Sequence, residues 1–123
     1  MKTDTLDRYS KVLDVQDLVS RCMGNIDFAC RVLQILSERC DSDMEGLEQA
    51  AAQSDFDQVY HISHRLKGAF ANASAKNMSR LADEVCSASR DKNESDSLEK
   101  TCKLRDEWDE FMAMVRSELD QAI

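Results

Sequence analysis

The chain has 123 residues, 42% apolar and 33% charged, with a formal net charge of −8, three glycines and no proline. That length fits one domain, and so few turn residues exclude most all-β and α/β folds of this size in favour of an all-α one. The excess of acids, 24 against 16 bases, argues against nucleic acid and anionic membranes as partners, because both need a basic face. No apolar run approaches the roughly 18 residues that cross a bilayer. The opening "MKTDTLDRYSKV" lacks the apolar core of a signal peptide, so a cytoplasmic protein is expected. The five cysteines (Cys22, Cys30, Cys40, Cys86, Cys102) are odd in number and show no CxxC spacing, and are read as reduced thiols, several of them small core residues.

Asp14 is expected to cap a short helix, about 15–23, closed by Gly24. A long helix follows over about 26–52, with Ile26, Ala29, Val32 or Leu33, Leu36, Cys40, Met44, Leu47 and Ala51 at helical spacing. Gly46 inside it costs about 1 kcal/mol against alanine without ending it. Ser54 is predicted to cap a third helix over 55–73, and Ser74 a fourth over 75–90 with Met78, Leu81, Ala82, Val85 and Cys86 as its apolar positions. After the polar loop "DKNESD", Asp96 and Glu99 suggest a capping box for a last helix over about 97–120. Its apolar face takes Leu98, Cys102 or Thr101, the Arg105 stem, Trp108, Phe111 or Met112, Val115 and Leu119. Four long helices with short connections predict an antiparallel up-down four-helix bundle with a short additional N-terminal helix, as one domain over residues 1–123.

The third helix carries both histidines. Phe56, Val59, Ser63, Leu66, Phe70 and Ala73 form one apolar stripe, and His64 lies roughly 140° from its centre, with His61 slightly further. Both therefore face solvent. They are either surface residues without a role, a metal site completed by Asp57 at i, i+4, i+7 spacing, or a place where one imidazole acts as a nucleophile. A bundle's metal ligands ordinarily point inward from several helices, which disfavours the second reading. The neighbours then separate the two rings. His64 has Tyr60 one turn before it, Lys67 three residues after, Gly68 four after and Ala71 seven after, so a cation lies on one side and bare surface on the other. His61 has His64 and Arg65 at those positions and lacks the bare patch. A neutral imidazole near pH 7 has a free lone pair, and once phosphorylated it carries a group that a nearby lysine can hold by a charge-assisted hydrogen bond.

The stretch "HRLKGAFANASA" (64–75) resembles the signature of the histidine-containing phosphotransfer (HPt) domain, His-x-Leu-Lys-Gly followed by small residues. "LADEV" at 81–85 is similar to the family's following helix, which carries a small residue and an acid there. The resemblance implies a four-helix bundle with a short leading helix and a phosphorylatable histidine on the second bundle helix. It makes His64 the phosphoacceptor through Nε2, Lys67 the phosphate stabiliser, Gly68 the opening for a partner and Leu66 a core residue. The implied reaction is reversible exchange with the aspartate of a response-regulator receiver domain, the partners being such a receiver, a hybrid sensor histidine kinase, or both. No cofactor of its own is implied, Mg2+ being expected in the receiver's acidic pocket. With no nucleotide motif in the chain, ATP-dependent kinase activity is not expected. Leu18, Val19, Met23 and Phe28 are the docking candidates from the first helix and its neighbour, with Tyr60, His61, Arg65 and Ala71 around the rim. Ser74 stands where the family usually has glycine, and Phe70 where a small residue is common. The alternative is a helical adaptor that binds receivers without phosphotransfer. The initiating Met and full bundle lead to the expectation of a free-standing protein, and a monomer is expected.

Overall fold

A computed structural model describes residues 6–122, with side chains as far as residue 117. Among them the regular structure is all helical: α1 (Val15–Arg21), α2 (Ile26–Ala52), α3 (Phe56–Asn72), α4 (Lys76–Arg90) and α5 (Glu94–Ala122). Each long helix packs against the next, and α2 also meets α5, so the four surround a common core. The pair α3 and α4 is the most extensively packed. None of the described helices is long and apolar enough to cross a membrane.

The connections share one geometry, which explains how a glycine-poor chain turns so tightly. Each of the first four helices is followed by a residue in the left-handed region, at Met23, Ser54, Ser74 and Lys92, with φ between 52° and 58°. The next residue's N–H closes the turn onto a carbonyl five residues back: Gly24 to Val19, Asp55 to Ala50, Ala75 to Phe70 and Asn93 to Ala88, each at 2.9–3.0 Å. This is the Schellman ending. In the last three turns its final residue also starts the following helix.

That overlap corrects three predicted caps. Ser54 and Ser74 are not N-caps, because each is the left-handed residue ending the preceding helix. Asp55 caps α3 by accepting from the Gln58 N–H, whereas Ala75, at the N-cap of α4, supplies no side-chain bond. The last helix begins at Glu94 rather than 97, capped by Asn93, whose Oδ1 accepts from the Asp96 N–H at 3.0 Å. The Asp14 cap stands as expected, with Asp14 accepting from the Asp17 N–H.

The core is built around Trp108, which is fully buried, 5.9 Å from the Phe70 ring and 5.3 Å from Phe111. Its indole N–H donates to Asp41 Oδ1 at 3.3 Å. Phe70, the departure in the motif, is thus core packing. On α5 the buried face runs through Ser97, Thr101, Leu104, Trp108, Phe111 and Val115, so Thr101, not Cys102, is the buried alternative, and the predicted Leu98 is exposed instead. Leu119 lies outside the described side chains. Leu33, not Val32, is the buried alternative on α2. Cys22, Cys40 and Cys86 are buried, and burial pushes the Cys40 thiol up to about 11. Ahead of α1, Leu6, Tyr9, Val12 and Leu13 also enter the core, with the Tyr9 ring 5.7 Å from Phe111.

Helix α1 is tied to the turn between α3 and α4. The Asp14 N–H donates to the Ser74 carbonyl at 2.9 Å, and the Ser74 hydroxyl donates to Asp17 Oδ2 at 2.7 Å. Arg21 donates to the Ala71 carbonyl at 3.0 Å, and Lys76 pairs with Asp14 at 2.8 Å, holding that carboxyl below its ordinary pKa. Ser74 therefore accepts a left-handed backbone, at about 1–2 kcal/mol for a residue with a Cβ, in return for a hydroxyl bond to a carboxylate. Ser74→Ala keeps the backbone cost and loses the bond, so urea unfolding should show it destabilised by about 1.5–3 kcal/mol. Ser74→Gly relieves the backbone and should fall about 1 kcal/mol less than the alanine variant.

Candidate functional site

Helix α3 buries Val59, Ile62, Ser63, Leu66 and Phe70 and leaves His61, His64, Arg65, Gly68 and Ala71 exposed. The imidazoles thus stand on the outer face, as the stripe required. Beneath them α3 rests closely on α4 through small side chains. Ser63 donates to the Val59 carbonyl at 2.6 Å and touches Cys86 Sγ at 3.0 Å, while fully buried Ala82 lies in the same core. The Ser79 hydroxyl of α4 donates to the Lys67 carbonyl at 3.0 Å. The backbone under the site is therefore held to its neighbour at Ser63 and Lys67.

The two histidine rings are separated by their contacts. His64 stacks on Tyr60, with centroids 5.8 Å apart and planes 25° apart. His61 meets the same ring edge-on at 5.7 Å and 75°. The Arg90 guanidinium of α4 sits 5.8 Å from the Tyr60 centroid, a cation over a ring. Tyr60 is thus a half-buried wall on the N-terminal side of His64, held from α4. On the other side Lys67 Nζ forms an ion pair with Asp83 Oδ1 of α4 at 2.9 Å. At Gly68 a Cβ would meet nothing within 4 Å. No packing demand among the described residues explains that glycine.

Other sequence-derived candidates are placed differently. Arg65 is exposed, but its guanidinium holds both carboxylate oxygens of Asp43 on α2 at 2.9 and 3.0 Å, and these bonds raise its pKa. Leu18 is 1% exposed and belongs to the core, so its side chain cannot meet a partner. Its helix packs that side inward. Val19 is half-buried against the core. Met23, at 95% exposed, and Phe28, at 53%, do present apolar surface, and Ile35, at 40%, adds to it one helical repeat beyond Phe28. A groove of about 180 Å³ between α2 and α3, lined by Ile35, Val32, Arg39, Ala69 and Asn72 among others, carries that surface onto α3. Among the described residues no three or more His, Cys, Asp or Glu side chains gather as a metal site requires, so Asp57, His61 and His64 do not form one. Both rings pack on Tyr60 instead.

A protein-family model, described as Hpt domain, matches residues 31–121. The chain belongs to the Hpt domain family. No curated protein and no solved structure matched it. Membership assigns the chain a phosphotransfer role in two-component systems, in which Hpt domains are phosphocarrier modules rather than kinases and act with receiver and kinase proteins. Asp83, Asp43, Arg90 and Ile35 were not singled out by sequence reasoning. The acid in "LADEV" hinted at Asp83, but its pairing with Lys67 depends on the α3–α4 register.

The glycines of this Hpt domain give a direct stability test. Gly68→Ala fills open space in a helix interior and should raise the unfolding free energy by about 0.5–1 kcal/mol in urea. Gly46→Ala should gain less, because its Cβ would stand 3.4 Å from Ile62 Cδ1.

Proposed function

We propose that this Hpt domain is a phosphorelay intermediate that carries a phosphoryl group on His64 and exchanges it with the aspartate of a response-regulator receiver, on an antiparallel up-down bundle. The observation that carries this reading is the set around one exposed imidazole: Tyr60 stacked on one side, Lys67 on the other, and open space over Gly68. In the forward step the Nε2 lone pair of His64 attacks the phosphorus of the receiver's aspartyl phosphate. The N–P bond forms as the P–O bond to the carboxylate breaks, the carboxylate leaves as an anion, and the Nδ1 proton passes to water. The reverse step returns the phosphoryl group to the carboxylate. Such transfers rest on positioning and charge neutralisation.

The chain's own residues divide that work. Stacking on Tyr60 limits the orientations of the His64 ring, and Lys67 supplies a positive charge to the phosphoryl oxygens. Gly68 and Ala71 leave the surface low enough for an aspartate seated in another protein to approach. Mg2+ belongs in this scheme to the receiver's acidic pocket. The receiver docks over α3 and the apolar surface of Met23, Phe28 and Ile35, with Tyr60, His61 and Arg65 at its rim. The chain needs no cofactor and acts as a carrier without ATP-dependent kinase activity, as a monomer in the cytoplasm.

Incubation with a phosphorylated receiver should label wild type and His61→Ala with an acid-labile, base-stable phosphoryl group, and leave His64→Ala unlabelled. A labelled His64→Ala protein would sink the assignment, and binding of the receiver without any label would favour the adaptor instead. Lys67→Ala should slow transfer roughly ten- to a hundredfold, the size of a lost charge-assisted bond, without unfolding the bundle. Gly68→Gln should slow transfer from the receiver while leaving labelling by phosphoramidate, a small donor, within about twofold of wild type.

A further inference from the structure

Lys67 is already engaged before any phosphoryl group arrives. Its ammonium lies 2.9 Å from Asp83 Oδ1, and the two side chains are 44% and 49% exposed. We propose that Asp83 is a positioning residue that competes with the phosphoryl group on His64 for the Lys67 ammonium, and so lowers the affinity of His64 for that group. The inference rests on the phosphocarrier reading of His64 and adds a second helix to its site.

Three observations carry it. Lys67 follows His64 by three residues, so the side chains adjoin on the helix surface and one ammonium can serve either anion. The Asp83 pair is solvent-exposed and therefore weakly held, whereas a phosphoryl dianion offers several charge-assisted acceptors. Lys67 accordingly turns to the phosphoryl group when His64 is modified. The backbone of α3 does not move with it, because the Lys67 carbonyl is fixed by the Ser79 hydroxyl at 3.0 Å. Asp83 is then left as an unpaired carboxylate beside a dianion, which adds like-charge repulsion. Both effects disfavour the phosphorylated form. A carrier that must surrender its phosphoryl group as readily as it accepts it benefits from such a counterweight.

Phosphoramidate tests this without a partner. The Nε2 lone pair of His64 attacks its phosphorus, the P–N bond to the amine breaks, and the imidazole Nδ1 proton leaves with the ammonia. Phosphorus-31 NMR of the full chain then follows the second ionisation of the bound group with pH. Asp83→Asn should move that midpoint down by about 0.2–0.7 pH units, and Asp83→Glu should restore it towards wild type. Lys67→Ala should move it up, and in that background Asp83→Asn should have a smaller effect, since the two residues act through one contact. An unchanged midpoint in Asp83→Asn, or the same effect with and without Lys67, overturns the proposal while leaving His64 as the carrier. A signal that is absent from wild type, or that persists in His64→Ala, overturns the carrier reading itself.

Discussion

The close approach of α3 to α4 is the constraint on which the site depends. It is possible because the facing side chains are small, with Ser63 against Cys86 at 3.0 Å and Ala82 fully buried. The left-handed turn at Ser74 fixes where along α3 each residue of α4 arrives. With that register set, Ser79 reaches the Lys67 carbonyl, Asp83 the Lys67 ammonium and Arg90 the Tyr60 ring. Bulk at Ser63 or Cys86 would spread the helices, and all three contacts would lengthen together. The exposed site is thus positioned by a buried seam, although none of its functional groups is buried.

Most of the helical layout is legible from periodicity because apolar residues recur at helical spacing and proline is absent. The boundaries of α2, α3 and α4 fall within one residue of the pattern. What misleads is the overlap of one helix's exit with the next one's entry. Ser54 and Ser74 have good capping side chains, yet the Schellman geometry places them one residue too early to cap. Leu98 misleads because polar Ser97 and Thr101 take the buried row beside it, so apolar spacing points to the wrong side there. The outward faces of His61 and His64 were legible, since a stripe of six residues defines a helix's orientation strongly. Partners on another helix were not, because Asp83, Asp43 and Arg90 meet α3 only through interhelical register. Periodicity within one helix does not encode that.

The placement of charge gives the site a further property. The chain is acidic overall, and the partner class proposed for it meets His64 through a carboxylate. Cations around His64 would ease that approach if they were free, but each is already engaged. Arg65 is clamped by Asp43, Lys67 is paired with Asp83, and Arg90 rests over Tyr60. These engagements differ in strength. The Arg65–Asp43 fork makes two bonds and joins α2 to α3, so it serves as a strut, whereas the single Lys67–Asp83 contact is exposed at both ends and is the weaker of the two, as the proposed exchange with a phosphoryl group requires.

The same logic explains why the nucleophile proposed here, His64, stands on a bare helix face rather than in a pocket. A pocket would have to bring its own charge neutralisation and exclude water by itself, at the cost of burying polar groups. In the proposed scheme an exposed imidazole leaves those tasks to the docking receiver, and the chain need supply only orientation, one movable cation and clearance. Clearance has a cost in stability, since a mid-helix glycine with open space around it forgoes about 1 kcal/mol of helix propensity. The other two come from side chains anchored across the α3–α4 seam, so the bundle's packing and the surroundings of His64 are set by the same contacts.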